Sequence, residues 1–193
     1  LSVGEIANML GVVLAVPLAR RIGKKNAYIA AILTAGIFTA AFYPLSGEGA
    51  ASYWLMLLLQ AVISVGAGVT LPLVWSMFAD VADYSELRNG NSSVGLIFSS
   101  SSMAQKFGGA FGGSFVLWLL AAYGYIVPGQ ESAAAAEIVQ SGSAIEGLRS
   151  LMSWIPALAC LLGALVMSLY PLSDRRMAEI QAELKLKRGE DVR

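Results

Sequence analysis

Apolar residues along this 193-residue chain come in long unbroken runs, not in strict alternation with polar ones. Four runs lack any Asp, Glu, Lys or Arg: Asn26–Gly47 (22 residues), Gly49–Ala79 (31), Phe107–Gln130 (24) and Ser150–Ser173 (24). A shorter run, Ile6–Ala19, lies near the chain start and ends in Arg20-Arg21. A helix that crosses a bilayer needs about 20 mostly apolar residues. The pattern therefore predicts five membrane helices, at about 2–20, 26–44, 52–79, 92–123 and 144–171. Ile6–Ala19 has the length of a signal-peptide core, but its charges follow it, so it reads as a span. Pro72 and Pro156 fall inside two of the helices and are expected to mark kinks, which membrane helices tolerate. Ser143 and Glu146 have the spacing of a capping box at the start of the last helix.

Composition supports a membrane chain and excludes much else. Hydrophobic residues make up 56% and charged residues 13%, about half the charge of an ordinary soluble domain. Mean hydropathy is +0.65. Thirteen basic residues balance thirteen acidic ones, which argues against a nucleic-acid partner. There is no histidine and one cysteine, Cys160, so disulfide frameworks, Cys/His zinc sites and His-based triads are excluded. No nucleophile–base pair or metal cluster stands out, and an enzyme is not expected.

Basic residues near span ends set orientation. Arg20, Arg21, Lys24 and Lys25 share the first loop, Arg88 lies in the third, and six more follow residue 173. Eleven of the thirteen therefore fall on one side, which predicts a cytoplasmic first loop, third loop and C-terminus. An external start and an odd helix count lead us to expect further residues upstream. Residues 1–172 read as a transmembrane bundle and 173–193 as a cytoplasmic amphipathic tail, with Met177, Ile180 and Leu184 at helical spacing. That stripe suits a membrane surface, a partner, or a solvated tail. The Ser/Ala-rich stretch 130–143 reads as an external loop.

Lys106 is the most informative polar residue. It lies fourteen residues into a predicted span, where a cation costs at least ~2.5–3.5 kcal/mol and defaults to a functional hypothesis. Gly95, Ser99, Ser102, Lys106, Gly109 and Gly113 recur at spacings of 4, 3, 4, 3 and 4, which is one helix face. Phe98, Phe111 and Phe115 lie opposite. That small, polar face is suited to lining an aqueous path, with structural pairing of Lys106 to a carboxylate as the alternative. Gly108, Gly109, Gly112 and Gly113 form overlapping G-x-x-x-G patterns that predict close helix packing. The third loop carries Asp80, Asp83, Tyr84, Glu86 and Arg88. Ion pairs from it to the basic first loop would hold one conformation closed, or the charges only fix topology. Trp75 and Gln105 lie at span depth, where a tryptophan is able to stack on a sugar face.

At these residues the chain resembles a known family. Asp80-Val-Ala-Asp83-Tyr84-Ser-Glu86, Gly90, Gly95-Leu-Ile-Phe98 and Gln105-Lys106-Phe-Gly108-Gly109 are similar to a signature of the glycoside–pentoside–hexuronide:cation symporters. These are the melibiose permease-like branch of the major facilitator superfamily. Pro17-Leu-Ala-Arg20-Arg21-Ile-Gly23-Lys24-Lys25 resembles the superfamily's loop motif between its eighth and ninth helices. Tyr170-Pro171-Leu172 through Leu184 resembles the family's tail. The resemblance implies an all-α inner-membrane transporter of twelve helices, of which this chain supplies the eighth to the twelfth.

The resemblance also implies roles. Lys106 would belong to linked cation and sugar sites, with Ser101, Ser102 and Gln105 at sugar-facing positions and Trp75 one turn from Leu71, which replaces the family's sugar-binding tryptophan. Asp80, Asp83, Tyr84 and Glu86, with Arg20, Arg21, Lys24 and Lys25, would form a cytoplasmic gate. No cofactor is implied beyond a coupling cation, sodium or proton, whose acidic ligands lie in the family's N-terminal half. The implied partners are a sugar or glycoside, membrane lipids and that N-terminal half. A lysolipid-type substrate, or a membrane fragment with only a structural or assembly role, are the other readings.

Overall fold

The computed structural model describes residues 2–45, 50–91, 93–126 and 140–188. All elements among them are helices: α1 (Ser2–Ile22), α2 (Lys24–Ala40), α3 (Phe42–Leu45), α4 (Ala50–Asn89), α5 (Val94–Ala122), α6 (Gly142–Met152), α7 (Trp154–Ser168) and α8 (Asp174–Arg188). Most of the external loop expected over 130–143, and the tail end beyond 188, lie outside the described residues.

Among the described residues, four segments are long and apolar enough to cross a membrane: Val3–Ile22, Lys24–Leu45, Ser52–Asn89 and Gly142–Ser168. The expected fifth span, α5, has 29 residues and is not among them. Its serines, Gln105, Lys106 and glycines dilute the apolar run.

Helix α4 is the axis of the bundle, and α1 and α2 lie against it. The contacts depend on small residues, as membrane packing generally does. A Cβ added to Gly11 would run into the Val65 carbonyl, and one added to Gly68 into the Asn8 carbonyl. A Cβ at Gly66 would lie 3.0 Å from the Ala31 oxygen. Ala15, Ala27, Ala31, Val69 and Leu73 form the buried cluster between these three helices. On its other side α2 packs on α7, where a Cβ on Gly36 would meet Cβ of Cys160 at 2.9 Å. Gly11, Gly36, Gly66 and Gly68 are thus among the glycines that permit close approach. Gly108, Gly109, Gly112 and Gly113 have no atom within 4 Å of an added Cβ, so the packing predicted for them has no counterpart among the described residues.

Helix α4 spans 40 residues, about 60 Å at 1.5 Å per residue. That exceeds the hydrocarbon core of about 30 Å, so its last turns lie beyond it. The predicted third loop is therefore mostly helix, and the carboxylates assigned to it ride on α4. Val81, Tyr84 and Leu87 recur there at helical spacing and receive the apolar stripe of α8. Leu172, Met177, Ile180 and Leu184 are buried against them. The stripe of the tail thus docks on its own chain.

The last span begins two residues before the predicted capping box. Ser141 is the N-cap and accepts from the Ala144 amide at 3.2 Å, while the Ser143 hydroxyl donates to the Tyr123 carbonyl. Pro156 does mark a break: α6 ends at Met152, Ser153 has φ −123°, and α7 restarts with Pro156 in its first turn, where its missing N–H costs nothing. Pro72 leaves α4 continuous.

Candidate functional site

The polar end of α1, α2 and α4 is the most highly connected site. Gly23 joins α1 to α2 at φ 88°, a left-handed conformation that glycine adopts freely. It has no side chain to cap α2. The carboxylate of Asp174, at the start of α8, takes that role: the Lys24 amide donates to Asp174 Oδ2 at 3.2 Å and Oδ1 at 3.4 Å. A Cβ on Gly23 would strike the same carboxylate. Glycine is thus required both for its φ and for space.

Lys24 holds a second carboxylate with its side chain. Its Nζ donates to Asp80 Oδ2 at 2.7 Å and Oδ1 at 2.8 Å. The Asp80 side chain is 6% exposed and that of Lys24 30%, so the carboxylate depends on this partner far more than the ammonium does. Lys25 turns the other way and donates to the carbonyls of Ser168 and Tyr170, each at 2.7 Å. The first of these carbonyls ends α7 and the second lies just past its C-cap, where no helical donor follows. Beyond that span end, the Tyr170 hydroxyl is buried with no hydrogen-bond partner among the described residues. Burial, and then the charges of Asp80 and Asp174, push its pKa up to about 12.

The other expected gate residues divide. Asp83 accepts from Gln181 of α8 at 3.5 Å. Tyr84 packs under α8 and accepts from Arg88 at 3.4 Å. Glu86 lies on the same turns of α4, half-buried. Arg20 and Arg21 are exposed and join no ion pair among the described residues. They open onto two different clefts, of about 490 and 450 Å³. Of the four basic residues in the first loop, then, only Lys24 forms an ion pair among the described residues. Sequence reasoning missed Asp174 and Tyr170 as members of this site. The available signal was Ser173-Asp174, a capping pair directly before an amphipathic stretch.

The second candidate site lies on α5. Ser99, Ser102, Met103, Lys106, Phe107 and Ala110 line a shallow groove of about 570 Å³. Every lining residue belongs to α5, so the groove has one wall. Ser99, Ser100 and Ser101 donate back to the carbonyls of Leu96 and Ile97, leaving their oxygen lone pairs outward. Ser102, Gln105 and Lys106 make no hydrogen bond or ion pair among the described residues. The carboxylate partner considered for Lys106 is absent from those residues. No residue of α5 is buried. The helix touches α4 only near its start, where Phe98 stacks on Trp75 at 5.7 Å, and reaches α6 where Tyr123 lies against Gly147. Trp75 also meets Phe78 edge-on. Phe98 lies eight residues before Lys106, about 12 Å along the helix. Trp75 therefore does not share the Lys106 groove.

Comparison with known proteins places these features. A family model described as MFS/sugar transport protein matches residues 1–174. The glucuronide carrier protein homolog of Escherichia coli (strain K12) is 32% identical over 183 residues, covering 93% of this chain and 37% of that protein. The putative 2,3-dihydroxypropane-1-sulfonate exporter of Salmonella typhimurium is 28% identical, covering 93% of this chain and 36% of that protein. The isoprimeverose transporter of Lactiplantibacillus pentosus is 27% identical, covering 97% and 36%. The chain spans little more than a third of the length of these relatives. No solved structure matches it.

Proposed function

The chain belongs to the MFS/sugar transport protein family, membrane carriers and not enzymes, and on that premise we propose that it is part of a cation-coupled sugar or glycoside symporter. Alternating access would rock two helix bundles around a midplane site. The coupling ion would be sodium or a proton, held mainly by residues of an N-terminal half. The observation that carries this reading is Lys106, a cation in a long, mostly apolar helix with no partner among the described residues and no buried residue on that helix. A one-walled groove with an unpaired charge is what half of a two-bundle site presents. The chain's coverage of about a third of its relatives' length, 36–37%, fits such a piece. Gly108, Gly109, Gly112 and Gly113 would then meet helices supplied by the rest of the transporter.

The Lys106 charge also bears on the substrate. Two of the relatives are named for a glucuronide and for a sulfonate, which are anions at neutral pH. We infer an acidic sugar whose carboxylate or sulfonate meets the Lys106 ammonium, with Ser101, Ser102 and Gln105 at the hydroxyls. The serine face suits a polar solute better than a lysolipid chain. Lys24–Asp80, with Asp174 and Tyr170, would latch the cytoplasmic side, where the basic residues and the C-terminus lie.

The test is uptake of a labelled glucuronide by inner-membrane vesicles carrying the whole protein, under imposed sodium or proton gradients. Gradient-driven uptake, competed by glucuronides more strongly than by neutral glycosides, is expected. Uptake indifferent to both gradients would overturn the coupling. Equal competition would overturn the acidic preference, and competition by lysolipids alone would move the substrate class. No uptake of any solute would leave the structural or assembly reading.

A further inference from the structure

Helices α1 and α2 both lie on α4 but diverge from each other, and a cleft of about 450 Å³ opens between them. Its walls are Leu14 and Leu18 from α1 and Ala30 and Thr34 from α2, and its floor includes Val65 of α4. Thr34 is the polar wall residue, and its hydroxyl donates to the Ala30 carbonyl of its own helix at 2.7 Å. No donor is left to greet a polar occupant, so the walls are effectively apolar. At the mouth stands Arg21, the one charged lining residue, exposed and unpaired among the described residues. From Arg21 to Leu14 is seven residues, about 10 Å along α1. That is about two-thirds of one leaflet's hydrocarbon depth of roughly 15 Å.

We propose that this cleft is a binding site for an anionic phospholipid. One acyl chain lies between α1 and α2, and the phosphate sits on the Arg21 guanidinium. A single cation over an apolar slot that opens at a span end matches the shape and charge of one lipid molecule. Guanidinium pairs with phosphate through two parallel hydrogen bonds. The volume lies within the range of small-molecule sites. The basic side of the spans is the cytoplasmic one by the charge rule, and that leaflet is where anionic lipids and basic interhelical pockets meet. The proposal needs the spans to cross a membrane. It does not need the sugar reading, and its test does not use transport.

The whole protein is equilibrated with vesicles of equal phosphatidylglycerol and phosphatidylcholine, extracted in mild detergent, and its retained lipid quantified. The wild type is expected to keep phosphatidylglycerol in preference. Arg21→Gln should lower that preference about fivefold, the worth of one basic contact at an anionic surface. Ala30→Phe, which fills the slot, should lower retention of both lipids. Arg20→Gln removes an adjacent charge that opens onto a different cleft, and should change little. Equal retention of the two lipids by the wild type would overturn the proposal without any variant. So would an Arg20→Gln loss as large as that of Arg21→Gln, which would mean diffuse surface charge.

Discussion

Helices α4 and α5 follow one another in the chain, both are glycine-bearing, and they meet opposite environments. In α4, Gly66 and Gly68 are lodged against the backbones of α2 and α1, and Asp80 is buried against Lys24. In α5, all five glycines face open space, no residue is buried, and Lys106 has no partner among the described residues. The difference teaches that small residues announce a contact surface without saying whose it is. It also separates two kinds of consequence. Changes in the α1–α2–α4 bundle should register as stability, and changes on the open face of α5 as function.

The sharpest test of that separation compares two identical substitutions. Gly68→Ala drives a methyl group into the Asn8 carbonyl, a backbone atom that cannot swing away. A cost of about 3 kcal/mol or more is expected. Gly109→Ala meets nothing within 4 Å among the described residues, so in the 193-residue chain by itself it should stabilise α5 by about 0.5–1 kcal/mol, because alanine gives up less backbone entropy. Thermal unfolding in detergent reads both, and equal losses would erase the contrast.

A smaller effect is expected at the ion pair. Lys24→Met leaves Asp80, 6% exposed, without its cation, at about 3 kcal/mol before discounting for residual access of water. Asp80→Asn leaves Lys24, 30% exposed, free to reach water, at about 1 kcal/mol. The double variant should recover part of the Lys24→Met loss. If Asp80→Asn is the worse of the two, the burial asymmetry does not govern the site.

Asp174→Ala removes the carboxylate that caps α2, worth about 1 kcal/mol for an N-cap. It should also loosen α8, seen as faster hydrogen exchange over Met177–Leu184. Exchange unchanged there would mean that the apolar stripe alone holds the tail. A further effect appears only at alkaline pH. Tyr170 has its pKa raised from 10.0 to about 12 in the folded chain. Above pH 10 the unfolded chain surrenders a proton that the folded chain keeps. The stability contribution is therefore complete below about pH 10 and falls away through about 12. Tyr170→Phe should flatten that alkaline decline relative to wild type.

Much of the architecture was legible because long apolar runs have few physical solutions. The runs at Asn26–Gly47 and Gly49–Ala79 each enclose most of a helix that the structure shows. What was illegible depended on distant partners. Asp80 to Arg88 looked like a loop because its residues are polar. They are helical because α4 outruns the bilayer and α8 covers Val81, Tyr84 and Leu87. Asp174 caps a helix 150 positions away in sequence, which no local pattern reports. Glycine spacing pointed to Gly108–Gly113, whereas the close contacts occur at Gly11 and Gly68, where no G-x-x-x-G pattern stands out. At the gate, the basic first loop was visible as a cluster, but only the fold shows that Lys24 takes the ion pair while Lys25 caps α7. Lys106 stood out in the sequence because a cation inside an apolar span is costly wherever it faces.

Lys106 also gives the most direct test. Lys106→Val in the whole protein should leave the melting temperature and the amount in the membrane unchanged, since the side chain contacts no partner among the described residues. Gradient-driven uptake of a labelled glucuronide should be abolished. A folded variant with normal coupled uptake would contradict the account, and Lys106 would have to be removed from the site.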